Sequence, residues 1–129
     1  MTDYPDWPDG ERALGDFLSP LGTTGSETPK TLQSSLPYIR ITRTGGASDR
    51  ITDRGIYSVD VFAADADDAK AVAGQVRQKL LEELPAATDH GTLDWPTVNS
   101  GPAPVPPTDS DNLRLAVASY TVSTRVTAQ

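Results

Sequence analysis

The chain contains no cysteine, so it has neither a disulfide framework nor a thiolate metal site, and nothing in it calls for an oxidising compartment. Histidine occurs once, at His90 between Asp89 and Gly91, just after a helix-ending proline. A surface turn is the ordinary place for such a residue, and no triad partner or second metal ligand accompanies it. Long apolar runs are also missing. No segment approaches the roughly 18 consecutive apolar residues of a membrane span, and the acidic start Met1-Thr2-Asp3-Tyr4-Pro5-Asp6 lacks the apolar stretch of a signal peptide. The chain therefore reads as soluble and made in the cytoplasm. Positive charge is scarce: 11 Lys and Arg face 18 Asp and Glu, a net charge of −7. That balance opposes any binding that depends on neutralising a phosphate backbone.

The 129 residues suit one domain, 1–129, with a real core. Hydrophobic residues make up 36%, and the 11 prolines and 10 glycines gather outside the periodic segments, so much of the chain is expected to be loop. Charge is unevenly spread. No Lys or Arg lies between Lys79 and Arg114, whereas Arg40, Arg43, Arg50 and Arg54 stand close together with only Asp49 and Asp53 beside them. This contrast points to complementarity between copies or with a partner, which makes these six residues the candidate interface.

Hydrophobic spacing places the elements. Asp6 as N-cap, Pro8 in the first turn and Ala13, Leu14, Phe17, Leu18 and Leu21 at helical intervals predict a short helix that Pro20 and Gly22 stop. Residues 22–35 are polar and are expected to be an extended loop or short edge strand. Ile39 and Ile41 share one strand face and Tyr38, Arg40 and Thr42 the other. Tyr57, Val59, Val61 and Ala63 likewise oppose Ile56, Ser58, Asp60 and Phe62. The loop 45–54 between them is too long for a two-residue turn and is expected to project. Asp65 caps a helix whose apolar positions are Ala69, Val72, Ala73, Val76, Leu80 and Leu84, and Pro85 ends it. Residues 92–99 predict an irregular strand broken at Pro96, and 101–107 a polyproline-like connector. In the last strand, Leu113, Leu115 and Val117 are out of phase with Tyr120, Val122 and Val126. A bulge near Ser119, or burial on both faces, would account for that. The sum is an α+β fold in the order α-β-β-α-β-β: a mostly antiparallel four-stranded sheet with two helices packed on it, and flexible stretches at about 22–35 and 100–112.

The chain offers no catalytic, cofactor or metal site. Gly25-Ser26-Glu27-Thr28-Pro29-Lys30-Thr31 departs from a phosphate loop at both motif glycines. Asp65-Ala66-Asp67-Asp68-Ala69-Lys70 departs from a calcium loop at positions five, six and twelve, so a helix cap is the better reading. Trp7 and Trp95, each beside a proline, are expected to cap the edge of a small core.

A family likeness sits on the hairpin-helix unit. Leu36-Pro37-Tyr38-Ile39-Arg40-Ile41, the turn Thr44-Gly45-Gly46, the strand Tyr57-Ser58-Val59-Asp60-Val61-Phe62-Ala63, then Asp68-Ala69 through Val76-Arg77 and Leu80, resemble tail terminator (tail completion) proteins of long-tailed bacteriophages, of the type found in phages of actinobacteria. Gly101-Pro102 and Tyr120-Thr121-Val122 add a weaker match. The resemblance implies a non-enzymatic virion subunit at the tail-neck junction, made in the bacterial host cytoplasm. It implies a homohexameric ring that caps the tail tube, ends its elongation and provides the surface for head-tail joining. The implied partners are the tail tube protein and a head-tail connector or stopper protein, with genomic DNA passing through the lumen without sequence-specific binding and no membrane involved. Another neck component or a tail tube subunit is the near alternative, and a small α+β ligand-binding domain or enzyme the distant one.

Overall fold

In the computed structural model the described residues are 9–27, 36–48, 52–88, 91–105 and 114–125. Helix α1 spans Gly10–Leu18. Its N-cap is Asp9, whose carboxylate accepts from the Arg12 backbone N–H at 3.2 Å, so the helix starts three residues later than a cap at Asp6 would place it. Ala13, Leu14 and Leu18 enter the core, and a 3-10 turn at Ser19–Leu21, carrying Pro20, ends the segment. Helix α2 spans Ala66–Glu83. Asp65 caps it by accepting from the Asp68 N–H at 2.8 Å, and Ala69, Ala73, Val76 and Leu80 form its buried stripe.

The sheet corrects the expected architecture. Instead of four mostly antiparallel strands in the order α-β-β-α-β-β, the chain forms a six-stranded, mixed, curled sheet, a half-barrel. The strands are β1 (Thr23–Gly25), β2 (Tyr38–Ser48), β3 (Thr52–Ala63), β4 (Ala86–Thr88), β5 (Gly91–Val105) and β6 (Arg114–Arg125). They lie side by side as β1-β2-β3-β6-β5-β4, with β1 parallel to β2 and all other neighbours antiparallel. The two additional strands are three residues long, too short to show a period, and only pairing with a longer neighbour makes them strands. Curling follows from the packing of α1, which touches β1 and β2 on one flank of the sheet and β4 and β5 on the other. The helix thus bridges the open side of the half-barrel, while α2 lies against β3, β5 and β6.

Both helices share the concave face. Ile39, Ile41, Tyr57, Val59, Val61, Leu93, Ala116, Ala118, Tyr120 and Val122 project there and join the helix stripes in one core. β6 pairs with β3 without a break along Thr52–Ala63, so its phase change is not a bulge. Ala116, Ala118, Tyr120, Val122 and Thr124 face inward, and Leu115 and Val117 lie half-buried on the convex face. Two further expectations change. Pairing between β2 and β3 continues out to Ser48 and Asp53, which absorbs most of the loop 45–54 into the hairpin. The proline-rich stretch is strand as far as Val105, tolerated because β5 shifts register three times along β6.

Candidate functional site

The candidate interface residues divide between the two faces of the hairpin. Arg40 and Asp60 are directly opposed on the convex face. The guanidinium donates from Nε at 2.9 Å and from Nη2 at 2.7 Å to Asp60 Oδ2 and lies 5.1 Å from the centre of the Phe62 ring. Ser58 Oγ donates to the other carboxylate oxygen at 2.7 Å, so Asp60 is held from both sides and is only 5% exposed.

Arg43 stands at the rim of the concave face, opposite Tyr57. Its guanidinium grips Asp53 with two nitrogens, Nη2 to Oδ1 at 2.9 Å and Nη1 to Oδ2. That hydrogen bond holds the Arg43 pKa above its already high value. Its backbone N–H donates to Glu11 Oε2 on α1 at 2.7 Å. Burial pushes the Tyr57 hydroxyl up in pKa, against the pull of the nearby Arg43 charge. Tyr57 also explains a glycine: a Cβ at Gly10 would lie 1.7 Å from the Tyr57 hydroxyl oxygen, so only glycine lets α1 sit this close.

A bulge separates the rim from the hairpin end. Arg43 pairs with Tyr57 and Gly45 with Ile56, leaving Thr44 as the extra residue, whose hydroxyl donates to the Ile56 carbonyl at 3.2 Å. Gly46 follows at φ +131°, and a Cβ there would meet the Arg54 carbonyl oxygen at 2.2 Å. Thr44-Gly45-Gly46 is therefore a bulge within a strand and not the turn of the hairpin. Arg54 is exposed on the convex face between the uncharged Ala47 and Ser123, with no ion pair among the described residues. Asp49 and Arg50 lie outside the described residues.

The described members of the set, Arg40, Arg43, Arg54 and Asp53, thus form no single cationic patch. Two of the arginines hold the hairpin together, and their partners include two carboxylates absent from the expected set, Asp60 and Glu11. Asp60 was within reach of sequence, since it occupies the same strand face as its neighbour across the hairpin once register is known. Glu11 was not, because 32 positions separate it from Arg43.

Elsewhere, Asp9, Glu11, Arg12, Asp16, Thr24 and Ser26 line an open cleft of about 550 Å³ between α1 and the edge strand β1. Asp9 is tied to Arg12 at 3.6 Å and to the helix start, so part of its charge is already answered. Tyr120, the cross-strand partner of Tyr57, is 1% exposed. Its hydroxyl has no hydrogen-bond partner among the described residues, and burial pushes it up to about 12, with Arg77 pulling the other way. Trp95 is 68% exposed in a β5 bulge and does not cap the core as expected; Trp7 and His90 lie outside the described residues. Among the described residues no three His, Cys, Asp or Glu side chains are placed to hold a metal ion, and no helix is long and apolar enough to cross a membrane. No protein-family model and no curated protein sequence matches the chain.

Proposed function

We propose that this chain is a structural subunit of a phage tail: a tail terminator that assembles as a ring on the end of the tail tube, stops its growth and presents the surface to which the head attaches. The observation that carries this reading is the hairpin-helix unit. The residues that bear the family resemblance are one packed body, with Ile39, Ile41, Val59 and Val61 on the sheet and Ala69, Ala73, Val76 and Leu80 on α2 in a common core. Around that body the strongest charge pairs, Arg40 with Asp60 and Arg43 with Asp53, join strand to strand. This is the use of charge that a rigid building block requires. The partners in this reading are further copies of the chain, the tail tube protein and a head-tail connector, and six acidic copies around a lumen would repel the phosphates of the passing genome.

Deleting the gene and examining the particles tests the proposal. Overlong polytails, cured by supplying the chain in trans, are the expected result. DNA-filled heads beside normal, unjoined tails would instead assign the chain to a connector and overturn the terminator role.

A further inference from the structure

We draw no further inference here: the strongest candidate, the surface patch around Trp95, 68% exposed in the β5 bulge, carries nothing because no feature of the structure shows what covers it.

Discussion

The β2–β3 and β5–β6 hairpins flank one sheet and keep their register by different means. The first has a single bulge, set by Thr44 and Gly46, and is clamped on each face by an arginine-carboxylate pair. The second slips register three times around its prolines, and one of its side-chain ties is Asn99, which donates to Thr121 Oγ1 at 2.8 Å and weakly to Ser119 Oγ at 3.5 Å. Between them β3 and β6 pair without interruption. The difference teaches that a strand edge is closed either by removing donors, as proline does, or by occupying them, as Glu11 does.

The largest effect should come from breaking a clamp of the first hairpin. Arg43→Met takes the gripping guanidinium away from Asp53, a residue only 7% exposed, and is expected to cost up to about 3 kcal/mol in a urea titration. The partial exposure of Arg43 keeps the loss toward the low end of buried pairs. A change under about 0.5 kcal/mol would show that the clamp is ornamental and that the bulge alone holds register.

The next effect concerns Tyr120, which the second hairpin contributes to the shared core. Its hydroxyl is buried without a partner among the described residues, so Tyr120→Phe should raise stability by up to about 1 kcal/mol near neutral pH. The alkaline limb gives a sharper reading. The folded-state pKa, about 12, lies above the ordinary 10.0, so the unfolded chain releases this proton first. The stability due to protonated Tyr120 is complete below pH 10 and is lost as pH rises toward 12. Denaturant midpoints measured from pH 9 to 12 should fall less steeply in the Phe variant than in wild type.

The smallest effect is expected at Asn99. Asn99→Ala removes exposed hydrogen bonds and should cost less than about 1 kcal/mol. Amide exchange in β5 should change little. A larger loss would mean that this one side chain, and not the prolines, sets the broken register.

The legibility of the fold follows the same divide. α2 shows itself through Asp65 and a helical stripe because capping and amphipathic spacing are local properties of consecutive residues. The hairpin faces were legible for the same reason, since alternation is a local signal. β4 was not, because three residues carry no period, and β1 was anticipated only as the short edge strand left open for residues 22–35. The strand character of residues 101–105 was hidden by prolines that a neighbour's register shifts accommodate. At the candidate site, sequence singled out the arginines but assigned their partners to another molecule. Arg40 and Arg43 find their carboxylates within the chain, at Asp60 and Asp53.

By itself, then, the sequence determined the two helices, the two long alternating strands, the acidic balance and the exclusion of thiol chemistry, all of which depend on neighbouring residues or on composition. Only the tertiary structure decided that the sheet has six strands and curls, that α1 bridges its open side, and that Glu11 meets the edge of β2. Those outcomes depend on which distant backbone groups find each other, and hydrogen-bond satisfaction over separations such as that from Glu11 to Arg43 leaves no periodic trace in the chain.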